Sequence, residues 1–130
     1  MRRKVLFVCV ENSNRSQMAE AFARHLGADA VEALSAGSRP SGTVNPKAIQ
    51  FMAEIGIDLG GQRSKSLDEV GDVPFDAVIT MGCGDSCPWL PARHREDWAL
   101  PDPRDLGEDG YRQVRDEISA RVSELLLRLA

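Results

Sequence analysis

The stretch VLFVCVENSNRSQMAEAF, residues 5–22, decides the fold of this chain. Residues 4–8 (KVLFV) have the composition of a buried β-strand. Polar residues follow, and apolar side chains then recur at helical spacing: Met18, Ala21, Phe22 and Leu26. The stretch therefore predicts a strand, a loop and a helix in immediate succession.

Three further segments have strand-like composition, namely residues 30–36, 77–81 and 98–100. Residues 77–81 (AVITM) are the most apolar of them, and residues 98–100 form a short last strand. Strands that alternate with helices predict an α/β fold, in which a parallel sheet carries helices on both faces. In such sheets ligands bind beyond the carboxyl ends of the strands.

Two more helices are predicted. Asn45 caps the first, Pro46 fits its first turn and Gly56 stops it. Its buried face is expected to contain Ile49, Met52 and Ala53. The second is a long C-terminal helix with an apolar stripe of Val114, Ile118, Val122, Leu125, Leu126 and Leu129. Residues 66–70 predict one additional short helical turn.

Length and composition restrict the class of protein. A chain of 130 residues predicts one domain spanning residues 1–130. No apolar run approaches the length that a bilayer requires, and a net charge of −4 gives no general attraction to nucleic acid or to a membrane surface. We therefore expect a soluble, cytoplasmic protein that captures any anionic substrate locally.

The loop at residues 10–16 has the features of an anion-binding site. A loop that leads into a helix directs backbone N–H groups and the positive end of the helix dipole towards one spot. Arg15 adds a planar cation that matches two oxygens of a tetrahedral anion. The predicted substrate-binding residues are Val10, Glu11, Asn12, Ser13, Asn14 and Arg15.

Cys9, at the end of the first strand, faces this loop. The positive field of the loop favours its thiolate, which is the nucleophilic form, and Ser16 is placed to donate a hydrogen bond to it. The alternatives are a buried structural thiol for Cys9 and ordinary turn or cap chemistry for Asn12, Ser13 and Ser16.

The other two cysteines, Cys83 and Cys87, follow the strand at residues 77–81. An odd number of cysteines with unequal spacing argues for reactive thiols rather than a disulfide framework. Structural packing is the alternative. Together with His94 they offer three zinc ligands without a fourth nearby, so no metal site is predicted.

Four segments resemble the thiol-dependent arsenate reductases that are built on the low-molecular-weight tyrosine phosphatase fold: VLFVCVENSNRSQMAEAF, SAGSRPSGTVNPKAI, ITMGCGDSCP and DPRD. The resemblance covers nearly the whole chain. It implies a flavodoxin-like sheet of four parallel strands. It also implies Cys9 as nucleophile, Arg15 as oxyanion ligand, Ser16 as thiolate stabiliser and Asp102 as general acid.

The same resemblance implies a redox relay in which Cys83 attacks the arsenic adduct of Cys9 and Cys87 then takes over the disulfide. Members coupled to thioredoxin place about six residues between the distal cysteines, whereas three separate them here. The expected external reductant is thioredoxin or a thiol of the mycothiol or glutathione type. No bound cofactor is expected, and phosphate or sulfate would compete with arsenate.

Some members of the family hold a potassium ion through an Asn, a Glu, a Ser and an Asp. Asn12, Glu20 and Ser35 match the first three, but Lys65 stands at the fourth position. Its ammonium could take the place of the ion, so no metal is predicted. Simple surface charge is the alternative for Lys65.

Two other functions stay open. The first is a phosphatase, because that branch shares the loop. Its C-x-G-N-x-C-R-S-P pattern differs here at Glu11, Asn14 and Gln17, and Arg104 and Asp105 stand where phosphatases usually have tyrosines. The second is a module that binds arsenite or another oxyanion without turnover.

Overall fold

A computed structural model describes residues 2–70, 74–82 and 90–129 of the chain. Its strands are β1 (Arg3–Cys9), β2 (Val31–Gly37), β3 (Phe75–Thr80) and β4 (Ala92–Asp97). Its α-helices are α1 (Arg15–Gly27), α2 (Pro46–Ala53) and α3 (Gly107–Leu129). Short 3₁₀ turns lie at Ala28–Ala30, Leu67–Glu69 and Pro103–Asp105. None of the helices in these described ranges is long and apolar enough to cross a membrane.

The strands form one parallel sheet in the order β2-β1-β3-β4. The predicted four-stranded parallel sheet is therefore confirmed. The chain leaves β1 towards β2 on one side and later returns to β3 on the other, so the direction of winding switches at β1. In parallel sheets a ligand crevice opens at such a point, outside the carboxyl ends of the strands. Cys9 is the last residue of β1 and stands at that crevice.

Alternate residues of β1 point into two different cores. Val5, Phe7 and Cys9 belong to a cluster that contains the buried side chains of all three α-helices. Leu6 and Val8 face the other way, where partly buried residues around the Leu67–Glu69 turn pack against them. Because both faces of β1 are buried, its sequence is a continuous apolar run.

The prediction of the last strand is wrong, because β4 covers Ala92–Asp97 rather than residues 98–100. This edge strand (ARHRED) alternates between half-buried and exposed residues, and it contains almost no apolar side chain. Trp98 follows it and is buried, with its backbone N–H donating to Thr80 O at 2.8 Å. The apolar residues that begin at Trp98 therefore follow the strand and are not part of it.

The buried face of α2 also differs from the prediction. Ala48, Phe51 and Met52 are buried, whereas Ile49 is 37% exposed. Asn45 caps the helix as expected, through a 2.8 Å bond from Lys47 N to its Oδ1. In α3 the stripe from Val114 to Leu125 is buried as predicted, with Leu126 and Leu129 packed at its edge.

Candidate active site

The loop between β1 and α1 turns its carbonyl oxygens towards the neighbouring β2–α2 connection. Val10 O accepts from Arg39 N at 2.8 Å, Glu11 O from Ser41 N at 3.0 Å and Ser13 O from Asn45 N at 3.0 Å. In a trans peptide the N–H points opposite to the C=O, so the N–H groups that follow these carbonyls point to the other side. Converging N–H groups next to the first turn of a helix are suited to hold an anion.

Gly37, the last residue of β2, permits this arrangement. A Cβ at that position would lie 2.5 Å from Val10 O and 3.0 Å from Asn12 Cβ. A side chain would therefore push the loop away from β2. The glycine is required by close backbone approach rather than by an unusual φ angle.

Cys9 and Ser16 are in direct contact at the base of the loop. Sγ of Cys9 lies 2.8 Å from Oγ of Ser16, and Asn12 Nδ2 donates to the same oxygen at 2.7 Å. Ser16 is fully buried and Cys9 is 4% exposed. The predicted contact between the hydroxyl and the thiol is therefore present.

Arg15 begins α1 and reaches across the carboxyl ends of the strands. Its Nη1 donates to Met81 O and to Leu100 O, both at 2.7 Å. These carbonyls use the two protons of Nη1, and within the described chain the protons on Nη2 and Nε have no such partner. They are the donors that Arg15 can offer to an oxyanion.

A cavity of about 400 Å³ opens over Cys9. Its described lining consists of Cys9, Val10, Glu11, Ser13, Asn14, Arg15, Arg39, Asp102 and Arg104. Three guanidinium groups and two carboxylates thus surround one thiol, and no aromatic side chain is among these residues. This local concentration of cations can hold an anion even though the whole chain is acidic.

Asp102 lies at the rim, where it caps the Pro103–Asp105 turn. Its Oδ1 accepts from Arg104 N at 3.0 Å, and the Arg104 guanidinium also reaches Glu11 at 3.2 Å. The side chain of Asp102 is 34% exposed and lines the same cavity as Cys9. The structure therefore brings Cys9, Arg15 and Asp102 together from three separate parts of the chain.

Asn12 is the one predicted substrate-binding residue that does not line this cavity. It is fully buried, with a left-handed φ of 51°, and its side chain turns inward to Ser16, Gln17 and Lys65. Its side chain supports the loop from below instead of contacting the cavity.

Asn14 is held by Tyr111 of α3, whose hydroxyl donates to Asn14 Oδ1. Burial, and to a lesser extent the negative charge of Asp102, raises the pKa of Tyr111 well above its usual value. The hydroxyl therefore stays protonated and remains a donor. As the one tyrosine of the chain is used here, it is not available to grip an aryl substrate.

The region matched to a potassium site already contains cations. Lys65 Nζ lies 3.5 Å from Glu20 Oε1, Ser35 Oγ donates to that oxygen at 2.5 Å, and Arg24 pairs with the other carboxylate oxygen. The side chain of Lys65 is 13% exposed, so it is not a simple surface charge. With an ammonium and a guanidinium on one buried carboxylate, these residues do not fit a potassium ion.

Cys83 and Cys87 lie outside the described residues. Gly82, which precedes Cys83 in the sequence, is described, and a Cβ on it would lie 3.6 Å from Arg15 Nη1. His94, the third residue of the zinc alternative, lies on β4 and pairs with Glu96. In the described ranges no group of three or more His, Cys, Asp or Glu residues could hold a metal ion.

Several contributors to the site were not identified from the sequence. Arg39 and Arg104 line the cavity, Tyr111 holds Asn14, and Gln62 contacts Gln17. Of these residues, only Arg104 could have been noticed in the sequence, because it stands where the phosphatase pattern usually has a tyrosine. The others lie far from the loop in sequence, and no local pattern distinguishes them from surface residues.

A second cavity, of about 410 Å³, lies at the amino ends of the strands. It is lined by Arg3, Leu26, Gly27, Ala30, Val31, Ser123, Leu126, Leu127 and Leu129. Among these residues there is no thiol, carboxylate or histidine. The two cavities are similar in volume, but only the Cys9 cavity is lined by a thiol and carboxylates, so it is the candidate active site.

Fold and site together define a class of protein. The profile of the low molecular weight phosphotyrosine protein phosphatase family matches residues 4–130. The chain belongs to this family, and the resemblance stated from the sequence is confirmed.

Several relatives within the family are named arsenate reductases. The glutaredoxin arsenate reductase of Synechocystis sp. is 40% identical over 131 residues, which cover 98% of this chain and 99% of the relative. A solved arsenate reductase in the phosphate-binding state is 39% identical, with a TM-score of 0.89 over 98% of this chain and 99% of the other. The thioredoxin-dependent arsenate reductase of Corynebacterium glutamicum is also 39% identical, with a TM-score of 0.79 over 95% of this chain and 60% of that one.

Proposed function

We propose that this protein reduces arsenate to arsenite and that Cys9 is the nucleophile. The observation that carries the proposal is the position of the Cys9 thiol at the base of one cavity with Arg15 and Asp102. Relatives that share nearly the full length of the chain are named arsenate reductases, one of them in a phosphate-binding state. Arsenate and phosphate have the same tetrahedral shape and similar charge, so one cradle suits both.

In the first step the Cys9 thiolate attacks arsenic, and an As–O bond breaks. Asp102 gives a proton to the leaving oxygen, which departs as water. Ser16 donates to the thiolate before attack, and Arg15 with the loop N–H groups holds the remaining oxygens. The product of this step is an adduct of Cys9 with arsenic in the +5 state.

In the second step the Cys83 thiol attacks Sγ of Cys9. The S–As bond breaks, its electron pair stays on arsenic, and arsenite leaves in the +3 state. Cys87 then attacks Cys83 and frees the Cys9 thiolate, so that two thiols have supplied the two electrons and form a disulfide. We propose this relay because Cys83 and Cys87 follow β3 closely in the sequence.

The Cys83–Cys87 disulfide requires an external dithiol or two molecules of a small thiol. One relative is named for glutaredoxin and another is thioredoxin-dependent, so relatives of this chain use different reductants. We infer that the reductant is thioredoxin or a thiol of the glutathione or mycothiol type. No cofactor bound to the protein is required.

The rim of the cavity favours a bare oxyanion over an aryl phosphate. Phosphotyrosine needs an apolar surface on which its ring can stack, whereas the described rim consists of Glu11, Arg39, Asp102 and Arg104. We therefore expect at most weak hydrolysis of activated phosphate esters. That hydrolysis would use Cys9, Arg15 and Asp102 without needing the distal cysteines.

The decisive experiment is arsenate-dependent oxidation of NADPH, with thioredoxin, glutaredoxin plus glutathione, and mycothiol systems supplied in turn. Repeated arsenite release with at least one system is expected, together with its complete loss in Cys9→Ser. Arsenite binding without turnover would instead identify a binding module. A wild-type enzyme that hydrolyses an aryl phosphate far faster than it reduces arsenate would identify a phosphatase.

A further inference from the structure

Gln17 is a buried amide whose nitrogen is surrounded by acceptors. It is 0% exposed, and its Nε2 lies 3.0 Å from Asn12 O, 2.9 Å from Asn12 Oδ1 and 2.9 Å from Arg63 O. A flipped amide would place its oxygen against these three oxygens. The side chain of Gln17 therefore has one permitted orientation.

Asn12 is oriented in the same way by a donor that cannot change. The backbone N–H of Lys65 donates to Asn12 Oδ1 at 3.0 Å, so that atom is the amide oxygen. Nδ2 must then face Ser16 and donate to its Oγ at 2.7 Å. Gln17 also holds the carbonyl of Asn12, which keeps this residue in its left-handed conformation.

The hydroxyl of Ser16 lies between the Asn12 amide and the Cys9 sulfur. One of its lone pairs is used by Asn12 Nδ2, and its single proton can be donated to Cys9 Sγ at 2.8 Å. A hydroxyl that donates stabilises a thiolate, whereas one that accepts stabilises a thiol. A hydroxyl that already accepts from an amide N–H is a stronger donor, so the Asn12 contact strengthens donation by Ser16 to a thiolate at Cys9.

Gln62 completes the chain from the surface side. Its Nε2 donates to Gln17 Oε1 at 2.8 Å and to Gln17 O at 3.0 Å. Its own oxygen accepts from Arg24 Nη1 at 3.3 Å, so its orientation is also determined. Gln62 is half-buried, and its replacement disturbs packing less than replacement of Gln17 would.

We infer that Gln17 and Gln62 are positioning residues that, through Asn12 and Ser16, hold a donated hydrogen bond on the Cys9 thiolate. The inference rests on the proposed function in that Cys9 is the nucleophile there. Neither glutamine touches the cavity. Their effect should therefore appear in the reactivity of Cys9 and in kcat, with little change in the KM for arsenate.

The test measures alkylation of Cys9 by iodoacetamide as a function of pH in a Cys83→Ser/Cys87→Ser background, which leaves Cys9 as the reporting thiol. Gln17→Met is expected to lower the alkylation rate at pH 7 about tenfold and to shift the pH midpoint of the reaction upward by about one unit. Gln62→Met should act in the same direction by about threefold. Gln113→Met, on the exposed face of α3, is the matched control and should change neither value.

Ser16→Ala distinguishes positioning from a general loss of structure. In that variant there is no hydroxyl to orient, so adding Gln62→Met should produce no further shift. Equal shifts with and without Ser16, or an unchanged midpoint in both glutamine variants, would overturn the inference. Since alkylation needs no arsenate, these results are independent of whether the protein reduces it.

Discussion

Nη1 of Arg15 lies 2.7 Å from the carbonyl oxygen of Leu100, two residues before Asp102. Arg15, the proposed oxyanion ligand on α1, therefore holds the segment that carries the proposed general acid. A second bond, to Met81 O at 2.7 Å, holds the segment after β3 in the same way. The side chain of Arg15 thus links α1 to the segment after β3 and to the segment after β4, at the carboxyl end of the sheet.

This dual role predicts a severe effect of Arg15→Lys. A lysine ammonium cannot serve both carbonyls and two oxygens of a substrate in one plane, so kcat/KM for arsenate should fall by about 100-fold or more. Competition by phosphate should weaken in parallel. The measurement is steady-state reduction with and without phosphate, and Arg121→Lys, at a partly exposed position of α3 away from the cavity, serves as the control. An Arg15→Lys enzyme with near-normal activity would contradict the assignment.

Gly37→Ala tests the close approach of β2 to the loop. The new methyl group would meet Val10 O at 2.5 Å, so the loop must shift and its N–H groups must lose alignment. We expect kcat/KM to fall roughly tenfold or more, because small displacements of binding groups are costly. The measurement is arsenate reduction at unchanged far-ultraviolet circular dichroism.

Gly61→Ala is the control for this substitution. A Cβ there meets nothing within 4 Å, and its φ lies outside the range that strains an L residue. It should retain wild-type activity. If both variants behaved alike, the contact between Gly37 and the loop would not matter for function.

Cys87→Ser tests the order of the proposed relay. Cys83 alone can attack Cys9, so arsenite should be released once, at about one per enzyme, after which turnover should stop. Mass spectrometry of the alkylated and digested enzyme should find a disulfide between the peptides of Cys9 and Cys83. Turnover of Cys87→Ser at the wild-type rate would indicate instead that a small thiol replaces Cys87.

Glu54 predicts a pH dependence of stability that is separate from catalysis. Its carboxylate accepts from Arg112 at 2.7 Å and from Arg115 at 2.8 Å, which joins the end of α2 to α3. The hydrogen bond from Arg112 is the main cause that lowers the pKa of Glu54 to about 2, from 4.5. A lowered pKa stabilises the folded state above pH 4.5, and this contribution is lost as the pH falls towards 2.

Glu54→Gln should accordingly lower the urea midpoint at pH 7, and the difference from wild type should narrow between pH 4.5 and pH 2. Glu124→Gln, at an exposed position of α3, is the control and should change little. A difference between Glu54→Gln and wild type that stayed constant with pH would show that packing, not charge, is responsible.

Local sequence patterns were sufficient for much of this protein. The apolar run of β1 and the polar loop after it are contiguous, so the backbone alone brings Cys9, Arg15 and Ser16 to one spot. The cap at Asn45 is likewise a local interaction between a side chain and the next turn. Predictions of this kind succeed because the residues concerned are neighbours whatever the rest of the chain does.

Other features depended on contacts between distant parts of the chain. The position of β4 was predicted wrongly because β4 is an edge strand. Only one of its sides is partly buried, so its sequence has no apolar run. The buried face of α2 was set by its packing against α3, where Phe51 and Tyr111 have ring centroids 4.8 Å apart.

The sequence by itself determined the class of fold and the position of Cys9 at the start of the loop, since these follow from short-range periodicity and spacing. Only the tertiary structure decided the charged rim of Arg39 and Arg104, the support of Asn14 by Tyr111, and the orientation of the amides beneath Cys9. The physical reason is that hydrogen-bond direction and charge proximity depend on which distant segments meet. That meeting is a property of the packed sheet and helices rather than of any one stretch of sequence.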